Sequence, residues 1–328
     1  MSTFLYMASL IGFLLLGIFL GRLCAGKEWV GRMLPRVRTA ALWLLLFMMG
    51  ISTGSIEGIM DMLSRMGIIG LASAILAIIG SVMLTSLLLL FPSPPAQTDG
   101  GTGFSHENET NAFLTGDDPH GLRRAWHIFK EPLLLLGIVL GGITCGVTTG
   151  GAWFDSRWIS ILLRFMMVLV GMLLMGQGIR FSHLLVSPRL LFIPLCTIAG
   201  SVGAALLLIP FTGGHAGQSM AITAGLGWYS LSSVMITDFG LPVIGTISLL
   251  ANLMRETLAF FLIPLFGRFG RKTLPLALTS AAATTMDVTL PLISSNFGAA
   301  SVGIAIYNGI VTSIAVPFLI PLVLGIGA

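Results

Sequence analysis

Apolar runs long enough to cross a lipid bilayer follow one another along almost the whole chain, and that pattern leaves few folds open. A spanning helix needs roughly 20 mostly apolar residues to cover about 30 Å of hydrocarbon. Phe4 to Gly21 is such a run, and others follow at about 40–55, 67–91, 132–150, 158–178 and 190–210, separated by polar or Pro- and Gly-containing punctuation. With 55% apolar and 9% charged residues among 328, an ordinary soluble domain is excluded. The expected fold is an all-α integral membrane protein, a polytopic helical bundle in contact with lipid on its outside.

The net charge of +4 does not point to nucleic acid, because the basic residues lie in short clusters between apolar runs, the pattern that orients membrane helices. Arg22, Lys27, Arg32, Arg36 and Arg38 against the single acid Glu28 place the first loop in the cytoplasm and the N-terminus outside. The first run has no basic residue before it and several after it, which argues for an uncleaved first helix rather than a signal peptide. Cys24, Cys145 and Cys196 are far apart and read as packing residues, and the five histidines show no metal-ligand spacing. No P-loop, G-x-S-x-G or H-E-x-x-H motif and no paired nucleophile and base occur, so neither an ATP-driven pump nor an enzyme is expected, and no cofactor.

Four regions follow. Residues 1–91 form a first three-span set, 92–131 a flexible acidic cytoplasmic loop opening with PSPPAQTDGGTG, 132–210 a second three-span set, and 211–328 the region of the expected transport site. LLLFMMGISTG from Leu44 is weakly echoed by VGMLLMGQGIR from Val170, each in the second span of its set. Because three is odd, the two sets would insert in opposite senses, as in inverted-repeat transporters.

A sharper echo is Asp238-Phe-Gly-Leu-Pro-Val-Ile and Asp287-Val-Thr-Leu-Pro-Leu-Ile, each after a segment rich in small residues and each expected to lead into a full-length span. Those segments, 219–237 and 274–286, read as re-entrant or broken elements. If the first were an ordinary span, Arg268, Arg271 and Lys272 would fall outside; as a hairpin it returns them to the cytoplasm. The expected count is about eight spans plus two re-entrant or discontinuous segments.

Between Thr273 and Ala328 the one charged side chain is Asp287. A carboxylate near mid-bilayer costs roughly 2.5–3.5 kcal/mol on insertion scales, so it is expected to line a wet, functional cavity. Glu256 sits in a similar setting in SLLANLMRETLAFFLIPLF, sharing a helical face with Asn252 four residues before it. Two such acids suit movement of a cation, a proton or both. Arg255 is adjacent and either meets a ligand carboxylate or forms a structural ion pair with Asp238 or Asp287. Trp228, Tyr229 and Ser230 in GLGWYSLSS line a cavity or, for the two aromatics, anchor at the interface. Thr284 and Thr285, with Asn308 on the last span, form the matching polar patch, unless the threonines bond back to helical carbonyls. A cation importer or antiporter and a channel with an acidic ring would use the same acids.

Over roughly Ala221 to Pro317, GLGWYSLSSVMITDFGLPVIGTISLLANLMRETLAFFLIPL followed by ATTMDVTLPLI resembles the signature region of the LysO lysine exporters. The first two hundred residues are similar in layout, and the acidic loop looks enlarged relative to the family. The resemblance implies an exporter of L-lysine and toxic lysine analogues in the bacterial inner membrane, driven by proton antiport, with the family's intramembrane acids at Glu256 and Asp287. A cation/proton antiporter and an exporter of another cationic amino acid stay open beside it, as does assembly into a homo-oligomer.

Overall fold

The computed structural model describes residues 3–24, 28–90, 121–151, 154–155, 157–176, 188–298 and 300–325. These form α1 (Thr3–Leu23), α2 (Glu28–Gly54), α3 (Ile59–Leu90), α4 (Gly121–Thr149), α5 (Arg157–Gly176), α6 (Pro188–Ala204), α7 (Ala216–Thr223), α8 (Tyr229–Asp238), α9 (Pro242–Gly267), α10 (Leu274–Ala281), α11 (Leu290–Phe297) and α12 (Ser301–Gly325). A tighter turn, Ala205–Phe211, prolongs α6, and another, Ala282–Met286, follows α10. Of the described helices, Arg36–Gly54, Ile59–Leu87, Phe192–Phe211, Pro242–Gly267 and Ser301–Gly325 are long and apolar enough to cross a membrane, and Gly12–Leu23 and Leu133–Thr149 are shorter apolar stretches. The protein is a helical membrane protein.

Part of the loop expected over 92–131 lies outside the described residues, but from Gly121 the chain is already helical. The helix that carries the apolar stretch Leu133–Thr149 thus starts ahead of the span expected from 132. Leu122 to Glu131, LRRAWHIFKE, contains neither Gly nor Pro and is rich in Leu, Arg, Ala and Lys, all good helix formers.

Polarity is distributed in the reverse of a soluble protein. Ser73 and Ser81 on α3 and Thr197 and Ser201 on α6 are buried, while Phe19, Ile68, Met83 and Leu207 are exposed. An apolar exterior and hydrogen-bonded hydroxyls inside are what a lipid solvent selects.

Glycines bring the outer helices together. Gly50 and Gly54 on α2 face Gly142 and Gly146 on α4, and a Cβ at Gly142 would collide with the carbonyl oxygen of Phe47. Both sets are G-x-x-x-G, and they meet in matching order along the two chains, so α2 and α4 run parallel. Gly17 against Val168 and Gly21 against Met172 make α1 and α5 parallel in the same way. Gly142→Leu is expected to destabilise the protein by about 1–3 kcal/mol or more, as overpacking does. A thermal-unfolding scan in detergent checks this, with Gly137→Leu, where a Cβ meets nothing within 4 Å, as the tolerant control.

These directions define two ends of the bundle. At the first lie the C-termini of α2 and α8 and the N-termini of α5 and α9, joined by Thr53 to Thr246 (2.8 Å) and by Ser160 to Asp238. At the second lie the end of α9, the start of α10 and the end of α11: Thr273 donates to the Phe266 carbonyl, and Gly267 abuts Asn296. On α6, Ile193 packs with Ala259 and Ile263, and Ser201 lies nearer the first end beside Arg255, so this helix delivers the chain to the first end, where α7 begins. The segment α7–α8 thus leaves and returns to the first end, and α10–α11 leaves and returns to the second.

Candidate functional site

The two returning segments break in the interior, and the breaks touch. In the first, Ala224 to Trp228, Gly225 and Gly227 interrupt the helix, and Gly227 has φ 93°, a conformation that side chains disfavour. A Cβ there would also lie 3.2 Å from the Ala281 carbonyl oxygen, across the junction. Leu226 takes φ 50° and, in the second break, Ala282 takes φ 53°, the two non-glycine residues with positive φ among those described. Such backbone persists where surrounding contacts over-determine it, and it clusters at working sites. The Ala283 N–H donates to the Leu226 carbonyl at 2.9 Å, joining the two breaks directly.

One asparagine holds each break. Asn252 on α9 donates through Nδ2 to the carbonyls of Ile222 (3.0 Å) and Ser248 (2.8 Å), and its Oδ1 accepts from the Gly227 N–H at 2.8 Å. Asn308 on α12 donates to the carbonyls of Leu278 (3.3 Å) and Ala282 (3.0 Å) and to the Thr285 hydroxyl (3.2 Å). Both asparagines are buried. Unwound backbone in a membrane interior needs such partners, because no solvent satisfies its freed groups.

Arg255, 1% exposed, clasps the second segment to the bundle. Its Nε donates to the Ser280 carbonyl (3.1 Å), one terminal nitrogen to the Ser201 hydroxyl (2.7 Å), and the other to the Thr279 carbonyl (2.7 Å) and the Ser81 hydroxyl (3.3 Å). Thr279 and Ser280 belong to the last turn of α10, whose carbonyls lack intrahelical partners and form the negative end of its dipole. Four of the five guanidinium donors are thus directed at neutral groups of the protein. None of these hydrogen bonds goes to Asp238 or Asp287; the guanidinium meets the open carbonyls at the end of α10 and two hydroxyls instead. Ser81 and Ser201 were not singled out from sequence; Ser73, Ser81 and Thr85, and Thr197 and Ser201, spaced for one helical face, were the available signal.

The acids occupy contrasting places. Glu256 is buried on α9, one turn beyond Asn252. Asp287 is exposed, immediately after the tight turn at the second break, and its Oδ1 accepts from the Val288 N–H at 2.6 Å. Asp238 is half-buried at the first end, where it accepts from the Ser160 hydroxyl. Asp238 and Asp287 are therefore not equivalent. Leu241-Pro242 opens the long α9, whereas Leu290-Pro291 opens the eight-residue α11, so the second copy of D-x-x-L-P does not lead into a full-length span as expected. Proline fits the first turn of any helix, which is why the motif recurs without marking the same place.

Trp228 and Tyr229 are half-buried beside the first break and pack on the main apolar core, and Ser230 is buried. Thr284 bonds back to the Ala281 carbonyl (3.0 Å), while Thr285 donates both back to the Ala282 carbonyl and across to the Ala305 carbonyl on α12 (both 2.8 Å). Among the described residues no three His, Cys, Asp or Glu side chains gather to hold a metal ion. What the centre offers is a buried acid, an exposed acid at a break, and two helix interruptions joined back to back.

The family model described as Lysine exporter LysO matches residues 11–101 and 133–324, passing over most of the acidic loop. Among curated proteins, the chain is 30% identical over 314 residues to Lysine exporter LysO of Escherichia coli (strain K12), covering 89% of this chain and 94% of that protein. It is 32% identical over 194 residues to a Putative lysine exporter of Haemophilus influenzae, covering 56% of this chain and 94% of that protein. No solved structure matches the chain.

Proposed function

This chain belongs to the lysine exporter LysO family, and from that premise we propose that it exports L-lysine and lysine analogues across the bacterial inner membrane by proton antiport. The observation that carries the substrate is the relation over 89% of the chain to a protein named for lysine export. Chemistry agrees. Lysine presents two ammonium groups, and Glu256 and Asp287 are carboxylates on α9 and at the second break.

In this reading α1–α6, α9 and α12 cross the membrane, while α7–α8 and α10–α11 are re-entrant from opposite faces, their tips meeting near the midplane through Ala283 and Leu226. Arg22, Arg36 and Arg38 and the cluster Arg268, Arg271 and Lys272 belong to the second end, which makes that end cytoplasmic and leaves both termini outside. The two halves are inverted repeats: α1–α3 with α4–α6, and α7–α9 with α10–α12. The pairing of α1 with α5 and α2 with α4 exchanges into itself under such an inversion.

Proton and lysine compete for the same carboxylates. Protons arriving from outside neutralise Glu256 and Asp287 and release lysine there; loss of those protons toward the cytoplasm restores affinity for the next. Arg255 takes no ligand in this scheme and holds the second re-entrant segment in place.

Everted membrane vesicles test substrate and coupling together. Energised vesicles are expected to accumulate radiolabelled lysine with a matching proton efflux, both lost on adding an uncoupler. Uptake that ignores lysine and follows an alkali cation would overturn the substrate; lysine flux that only dissipates its own gradient would make the protein a channel. Competition by ornithine or arginine measures how far the site reads two ammonium groups rather than one solute.

A further inference from the structure

The two asparagine-held breaks obey one register with one exception. Asn252 reaches the Ile222 carbonyl 30 residues earlier, and Asn308 reaches the Leu278 carbonyl 30 residues earlier. Leu226 and Ala282, the positive-φ residues, stand at the same distance before their asparagines. Every position of the first break thus maps onto the second by the interval from Asn252 to Asn308, and Gly227 maps onto Ala283. The hydrogen bonds do not map. Gly227 donates to the Oδ1 of its own asparagine, whereas Ala283 donates across the junction to the Leu226 carbonyl. The Oδ1 of Asn308, buried, accepts no hydrogen bond among the described residues, and its Nδ2 occupies the Ala282 carbonyl, the counterpart of the Leu226 carbonyl.

A buried amide oxygen left open while its repeat mate is filled is costly, and each such group calls for an explanation. We infer that Asn252 and Asn308 are a matched pair of positioning residues that exchange roles between the two access states of the transporter. In the state described, Gly227 N–H is held by Asn252 Oδ1 and Ala283 N–H by the Leu226 carbonyl. In the other state Ala283 N–H turns to Asn308 Oδ1 and Gly227 N–H donates to the second lone pair of the Ala282 carbonyl, while the Nδ2 bonds of both asparagines stay in place. Two bonds are lost and two equivalent ones form, so the two arrangements are close in energy, as a bistable element requires. The movement needed is a short shift of one break past the other, with both asparagines fixed on their long helices.

The inference rests on the proton-antiport reading above, in which the carboxylates meet the two sides of the membrane in turn, and makes a prediction that a merely structural role does not. In the full chain with Cys24, Cys145 and Cys196 replaced by Ser, Tyr229→Cys and Met286→Cys report, one at a time, on labelling by a membrane-impermeant maleimide in right-side-out and in everted vesicles. Asn252→Leu removes the acceptor used in this state, and Asn308→Leu removes the acceptor used in the other. Their ratios of outer-face to inner-face labelling are expected to move in opposite directions from the parent, each by about fivefold or more, the equilibrium shift that loss of one buried hydrogen bond produces. The double variant is expected to return toward the parent. Shifts in the same direction, no shift, or a double variant displaced further than either single one would overturn the exchange. If the Leu proteins do not reach the membrane, Asn252→Ser and Asn308→Ser shorten the side chain beyond reach of the same N–H groups and carry the same expectation. Labelling needs no lysine, so a wrong substrate fails the efflux test and passes this one, whereas a protein that does not alternate fails here.

Discussion

Glu256→Gln is expected to reduce proton-coupled lysine accumulation in everted vesicles to below about a tenth of the parent, since a neutral isostere can neither bind a proton nor attract an ammonium group. The carboxamide keeps the size and the hydrogen-bonding capacity of the side chain, so the buried helix face around Asn252 survives and the protein still folds. Asp287→Asn should lower the same flux with even less effect on stability, because Asp287 is exposed and the Val288 N–H it accepts from can be met by an amide oxygen. Counterflow separates the two roles: exchange of lysine for lysine at equal proton potential needs binding but no net proton movement. A variant that retains counterflow and loses accumulation has lost coupling alone. Accumulation at the parent rate in both variants would remove the carboxylates from the mechanism.

Arg255→Lys is expected to be the most destabilising of the conservative changes, by about 3 kcal/mol or more, comparable to breaking one side of a buried charged network. Lysine keeps the charge but not the planar fork, and cannot meet two backbone carbonyls and two hydroxyls from three other helices at once. The Thr279 and Ser280 carbonyls would then lose their partners in a buried setting. Thermal unfolding in detergent and the yield of folded protein read this directly. Ser81→Ala and Ser201→Ala, which each remove one of the four bonds, should fall between Arg255→Lys and the parent. If Arg255→Lys unfolded like the parent and only transport changed, the guanidinium would be a ligand group rather than a clasp.

The two substitutions at neighbouring positions thus predict opposite phenotypes, transport at Glu256 and stability at Arg255, although both are buried on one helix. About 100° of rotation around α9 separates them. Arg255 points at the end of α10 and the α3–α6 pair, while Glu256 follows Asn252 on the face that supports the first break.

Several parts of this arrangement could be read from the chain before any coordinates. Apolar length marks helices that lipid must surround, because backbone groups in hydrocarbon are satisfied within the helix itself, a local rule visible residue by residue. GLGWYS announces a helix that cannot continue, and the setting of Glu256 in an apolar run marks it as costly and therefore worth following. The same local reading misled at D-x-x-L-P, since a proline after a short turn describes how a helix begins and is silent on how long it will run or where it lies. Hydropathy is silent on Leu122 to Glu131, whose charged turns extend α4 ahead of its apolar stretch.

What the sequence by itself determined is the class of the protein, its apolar exterior and the residue types at its centre, all consequences of solvent and of neighbours a few residues apart. Tertiary structure decided the rest: that Arg255 answers helix-end carbonyls, that Asp238 and Asp287 are not counterparts, and that Asn252 and Asn308 are. Those facts depend on which buried donor finds which buried acceptor across segments far apart in the chain. Inside a membrane no water stands in for a missing partner, so that matching, more than any motif, sets the centre of this protein.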